Sequence, residues 1–158
     1  MKTKVLLALL LLISTLINFS CVSSSGGGDD LILNSKEGVH KIQITFTGDG
    51  DVSFIASFTG VSGKTQAKLY DLNGDYQGTT YIARGDAKNT TKVICETNKD
   101  ATILSSTLNV TCIKAGKKVT YTMTAYIDGK QVDEITKTVN FTNSVQTDAA
   151  TISTSNSI

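Results

Sequence analysis

The chain has 158 residues, of which 40% are hydrophobic, 18% charged and 6% aromatic, with no Pro and no Trp. That length holds one modest domain with a tail at either end, because domains most often run to about 100–150 residues. A formal charge of +1 argues against a concentrated basic face for nucleic acid, and a single histidine, His40, leaves multi-His zinc sites and Ser-His-Asp chemistry almost nothing to draw on.

The N-terminus opens with Lys2 and Lys4, followed by an apolar run from Val5 to Ile17 broken only by Ser14 and Thr15. As a helix that run is about 20 Å long, short of the ~30 Å hydrocarbon core, which suits an export signal better than a permanent span. Ser20-Cys21 follows, then a Ser/Gly stretch from Val22 to Asp30. The expected organisation is a signal peptide over 1–20, a linker over 21–30, a folded domain over 31–143 and a disordered Ser/Thr-rich tail over 144–158. With Lys2 and Lys4 removed the charge turns slightly negative, so no polybasic patch offers to hold anionic lipid.

From His40 onward the apolar period is two. Ile42, Ile44 and Phe46 alternate with polar residues, Gly48-Asp49-Gly50-Asp51 turns the chain, and Val52, Phe54, Ala56 and Phe58 alternate with Ser53, Ile55, Ser57 and Thr59. These two runs read as a β-hairpin. After a break at Gly60 to Lys64, the stretches 67–72 and 75–83 flank Asn73-Gly74, a favoured type I′ pair, and predict a second hairpin. Arg84 to Thr91 reads as a loop and Lys92 to Thr97 as a short strand. Leu104, Ser106, Leu108, Val110 and Cys112 then share one phase, as do Val119, Tyr121, Met123, Ala125 and Ile127. Asp128-Gly129 turns into a last strand over about 131–141, carrying Ile135, Val139 and Phe141. About seven or eight antiparallel strands with no 3.6-residue stripe predict an all-β sandwich.

Two resemblances sharpen this reading. Ser20-Cys21 between an apolar run and a Ser/Gly linker resembles a bacterial lipoprotein signal, although Asn18 stands where the family usually has Leu. The resemblance implies that Cys21 is diacylated on sulfur and becomes the new N-terminus on cleavage; ordinary signal-peptidase cleavage near Ser23-Ser24-Ser25 is the alternative. Gly116 followed by Tyr121-x-Met123-x-Ala125 resembles the penultimate strand of immunoglobulin-like and fibronectin type III-like domains. That resemblance implies an Ig-like sandwich in which the Tyr121 hydroxyl bonds to backbone at a corner. Leu69 to Gly74, the Gly-rich linker and the single β domain are together similar to small Ig-like surface lipoproteins common in Bacteroidetes.

Candidate sites are few. If Cys21 carries lipid, Cys95 and Cys112 remain as an even pair, and export favours a disulfide between them. Asp71-Leu72-Asn73-Gly74-Asp75 spaces oxygens as an EF-hand begins, but Tyr76 and Ile82 stand where such a loop needs Gly and Glu, so a turn is favoured over a metal site. Arg84-Gly85-Asp86 matches an adhesion tripeptide in an expected loop, a match that arises easily by chance. His40 reads as a solvated strand-edge residue. Tyr70, Tyr76, Tyr81 and Tyr126 are the candidate binding aromatics. No catalytic constellation, metal or other cofactor is expected. The reading is a non-enzymatic lipoprotein exported to the cell envelope, at the outer membrane or cell surface, held to the membrane by its N-terminal lipid and binding a protein or glycan. The alternative is an accessory or structural subunit, or an immunity-type inhibitor, of an envelope complex.

Overall fold

The computed structural model describes residues 36–156. The expected signal peptide, the expected linker and the expected lipidation of Cys21 lie outside the described residues. Eleven strands make up the described fold. In chain order they are β1 (His40–Gly48), β2 (Val52–Ser62), β3 (Thr65–Gln66), β4 (Leu69–Tyr70), β5 (Tyr76–Gly78), β6 (Thr80–Asp86), β7 (Lys92–Thr97), β8 (Ile103–Cys112), β9 (Lys117–Ile127), β10 (Lys130–Phe141) and β11 (Gln146–Ser153). They form two antiparallel sheets packed as a β-sandwich. One sheet has the order β10-β9-β1-β7-β4-β5; the other runs β11-β8-β2-β3, with β6 also paired to β2.

The period-two phases set the two inner faces. Ile42, Ile44 and Phe46 of β1 face inward beside Val119, Tyr121, Met123 and Ala125 of β9, and against them lie Phe54, Ala56 and Phe58 of β2 with Leu104, Leu108 and Val110 of β8. All are buried, because a one-residue slip in any strand would send its apolar set to solvent. Phe46 and Phe54 stack across the sheets with ring centroids 4.4 Å apart. On β10 a bulge between Gln131 and Asp133 shifts the phase, which lets both Val132 and Ile135 pack partly against the core.

Several expectations are corrected by this topology. The apolar runs around Asp49-Gly50 are not a hairpin: β1 and β2 enter opposite sheets, and the corner is fastened instead to β9, with Asp49 N donating to the Lys118 carbonyl and Lys118 N to Asp49 Oδ2. Gly60 does not end β2, since it is buried inside the strand where a Cβ would meet Ala67 Cβ at 3.0 Å. The Asn73-Gly74 turn is wider than type I′, because of the pair only Gly74 has positive φ. Asp128-Gly129, by contrast, has φ of 49° and 79°, the type I′ pattern, and joins β9 to β10 tightly.

The expected disordered tail is a strand. β11 pairs with β8 over eight positions, buries Ile152 and presents Thr147 and Thr151 to hydroxyls of Thr111 and Thr107. Its polar composition hid it, for the residues that make it a strand are β-branched threonines on a solvated face. β11 also closes one side of the sandwich. The Tyr121 hydroxyl donates to Asp148 Oδ2 at 2.8 Å, while the Lys137 ammonium of β10 pairs with Asp148 Oδ1. Tyr121 therefore ties β9 to the facing sheet, where the resemblance implied a bond to corner backbone.

Candidate functional site

The side opposite Asp148 is open. There β6 borders one sheet, and the short hairpin β4–β5 with the start of β7 borders the other. Antiparallel strands alternate between residues whose backbone groups face the partner and residues whose groups face away. Ala87 N donates to the Val52 carbonyl, so the β2-facing residues of β6 are Tyr81, Ala83 and Gly85, and Ile82 and Arg84 turn their N–H and C=O groups outward. By the same alternation Phe46 N, donating to the Thr91 carbonyl, directs the backbone of Lys92 and Ile94 away from β1. Strand β4 covers β7 only at Glu96 and Thr97, because the chain leaves the ladder at Asp71.

Between these two unpaired edges lies a groove of about 360 Å³. Phe54, Tyr81, Ala83 and Val93 contribute apolar lining, Leu72 and Ile82 stand exposed at its rim, and Arg84 and Lys92 bring cations. Among the described residues neither Arg84 nor Lys92 is in an ion pair. Asp71 reaches the groove too, but its carboxylate builds the turn: Oδ1 accepts from Asn73 N and Asp75 N, and Oδ2 from Gln77 Nε2. The turn reading of Asp71 to Asp75 thus has its hydrogen bonds in place.

The four tyrosines do not form one surface. Tyr81 is half-buried, stacked on Phe58 with centroids 5.4 Å apart, and burial raises its hydroxyl above the usual phenol range. Tyr70 and Tyr76 pack against each other across the β4–β5 hairpin, and of the pair Tyr76 is the exposed one. Tyr126 lies on the outer face of β9 under the Lys41 ammonium, which sits 4.4 Å from the ring centroid. Only Tyr81 lines the groove.

The remaining sequence candidates are placed differently from expectation. Cys95 on β7 and Cys112 on β8 are free, buried thiols and no disulfide joins them. Each occupies an inward strand position as a small apolar residue, a role that even pairing and export could not distinguish from a bond. Burial pushes the Cys95 thiol up to about 12. Arg84 and Gly85 lie within β6, where a loop was expected; Asp86 ends the strand and accepts from Lys88 N, Asn89 N and Asn89 Nδ2, which holds its carboxyl below the usual range. His40 is fully buried on a central strand rather than solvated at an edge. Its Nε2 donates to the Lys36 carbonyl at 2.9 Å, which leaves Nδ1 to accept from the Thr154 hydroxyl at 2.6 Å. Ile82 was the missed signal, an isoleucine in the otherwise polar outward phase of β6.

No family model and no curated protein matches the chain. Among solved structures, a domain of unknown function, DUF4425, from Bacteroides vulgatus is 30% identical with a TM-score of 0.69, covering 74% of this chain and 94% of its own. The chain belongs to the DUF4425 family. A second DUF4425 protein, from Bacteroides ovatus, is 28% identical with a TM-score of 0.70, over 78% of this chain and 99% of its own. The calcium-bound form of a protein from Parabacteroides distasonis, 18% identical with a TM-score of 0.57, shares the fold of the DUF4425 sandwich over 83% of this chain and 98% of its own. The DUF4425 relatives carry the two-sheet architecture but assign it no activity.

Proposed function

We propose that this DUF4425 chain is a non-catalytic binding module of the cell envelope, exported by its N-terminal signal and tethered to the membrane through lipid on Cys21. The groove on the open side carries the reading. It joins exposed apolar side chains, unopposed cations and unpaired backbone in one place, a combination suited to recognition. The anchor is supported by the position of Cys21 between an apolar run and a Ser/Gly-rich stretch. The immunoglobulin-like type goes with this reading, supported by the Tyr121-x-Met123-x-Ala125 run and by a chain that passes repeatedly between two antiparallel sheets. Non-catalytic action is supported by the buried His40, whose two ring nitrogens are engaged by Thr154 and Lys36 away from the groove.

Two measurements test the proposal together. Mass spectrometry of the native protein should find a lipid-modified N-terminal Cys21, and an unmodified N-terminus further along the chain would overturn the anchor. Arrays of glycans and of envelope-protein peptides should give binding that Leu72→Ala and Ile82→Ala weaken without lowering the unfolding temperature. Binding untouched by both substitutions would overturn the assignment of the groove.

A further inference from the structure

The groove has a feature that an ordinary ligand pocket does not need, namely two rows of main-chain donors and acceptors. Ile82 and Arg84 present theirs from β6, and Lys92 and Ile94 present theirs from β7. No strand of the described fold pairs with the outward groups of these four residues. Natural sheets usually blunt such an edge with a bulge, a proline, a covering element or charged side chains. Here the first three are not at hand: the chain has no Pro, the β2–β6 register runs unbroken from Ser53 to Thr59, and β4 stops at Tyr70, which leaves the charges of Arg84 and Lys92 to turn away all but a partner that complements them. The space between the edges is an open groove where a further strand could lie.

The side chains around the edges specify what such a strand would carry. An added strand places alternate side chains inward and outward. Its inward row would meet Tyr81, Ala83 and Val93, an apolar surface that is only partly covered at Tyr81 and Ala83. Its outward row would pass between Arg84 and Lys92, cations without ion-pair partners among the described residues. The Asp71 carboxylate is engaged in its own turn, where it accepts three hydrogen bonds, and forms no ion pair with either cation.

We propose that the open edge of β6, above this groove, is a strand-addition site that takes an extended segment of another protein in which apolar residues alternate with acidic ones. Main-chain pairing to Ile82 and Arg84 supplies affinity, and the apolar floor with the two cations selects the sequence. The inference rests on the binding-module reading and narrows it to a class of partner.

The test uses the purified full chain and two synthetic seven-residue peptides, one alternating valine with glutamate and one alternating valine with lysine. The acidic peptide should bind about tenfold or more tightly than the basic one, as expected where charge complementarity selects the partner. On saturation, amide hydrogen exchange should slow at Ile82 and Arg84. Ile82→Pro provides the decisive variant, because the Ile82 N–H faces away from β2: proline removes the outward donor while leaving the β2–β6 ladder bonds in place. It should abolish binding of the acidic peptide. Should Ile82→Pro fail to fold, Arg84→Glu gives the same discrimination by reversing the preference between the two peptides. Equal affinity for the two peptides, or binding without protection at Ile82 and Arg84, would overturn the proposal. So would self-association lost in Ile82→Pro, which would make a second copy of this chain the occupant. A glycan that binds the groove without protecting the β6 amides would also overturn strand addition, while leaving the binding-module reading standing.

Discussion

Protonating His40 would put a cation among β1, the Thr154 hydroxyl and the Lys36 carbonyl, with the Lys36 ammonium opposing it and the Asp128 carboxylate favouring it. Burial is the largest influence and lowers the His40 pKa below its ordinary 6.5. The unfolded chain therefore takes up this proton more readily than the folded one. Stability from neutral His40 is complete above pH ~6.5 and is lost as pH falls through the lower folded value. Thermal unfolding from pH 7.5 to 5 should show that loss, and His40→Gln should flatten it; an unchanged slope in the variant would contradict the role given to the imidazole. A separate loss should appear at lower pH, where Asp51, Asp86 and Asp128, all held below the ordinary aspartate value, become protonated. The cysteines make a second prediction at this scale. The thiolate is the reactive form, so Cys95, pushed up to about 12 inside the core, should resist a thiol reagent at pH 8 and react fully in denaturant. Residue identity in the sequence indicated neither outcome, since His40 finds Thr97 and Thr154 across 57 and 114 positions and both cysteines sit in a core cluster that several strands assemble.

At the scale of elements, periodicity was informative about phase and silent about pairing. The inward sets of β1, β2, β8 and β9 are legible because alternation over seven or more residues leaves one arrangement that buries the apolar row. Whether two adjacent strands pair or cross between sheets is not written in alternation, which is why the Asp49-Gly50 corner resembles a hairpin and is a link between layers. Burial supplies the energetic prediction. Phe58 is fully buried and stacked on Tyr81, so Phe58→Ala should cost ~3–5 kcal/mol in denaturant unfolding, a large share of the stability of a domain this size. Strand β11 makes a sharper case. Ending the chain after Val145 would expose one edge of β8 and strip away Ile152, Asp148 and Thr154, leaving the Tyr121 hydroxyl without its acceptor. Such a chain should unfold well below the full-length one in a thermal melt; equal midpoints would show the segment to be the dispensable tail its composition suggests.

Taken as a whole, the sandwich has one side closed by Asp148, Tyr121 and Lys137 and the other left open between β6 and β7. Fold class was legible in the sequence because turn-punctuated alternation admits few architectures. The open side was not, because it depends on which backbone groups lack partners, a property of topology. The four tyrosines illustrate the difference: chosen for their chemistry, they scatter over a stacked core position, a hairpin and an outer face, and only Tyr81 reaches the groove. The account therefore stands on the open side being the face that engages a partner. Amide hydrogen exchange of the full chain, compared free and bound to isolated cell envelopes, tests this most directly. The expected result is slowed exchange concentrated at Leu72, at Ile82 and Arg84, and at Lys92 and Ile94. Slowing confined to the threonine-rich outer faces of β8 and β9, with those groove amides exchanging as in the free protein, would contradict it.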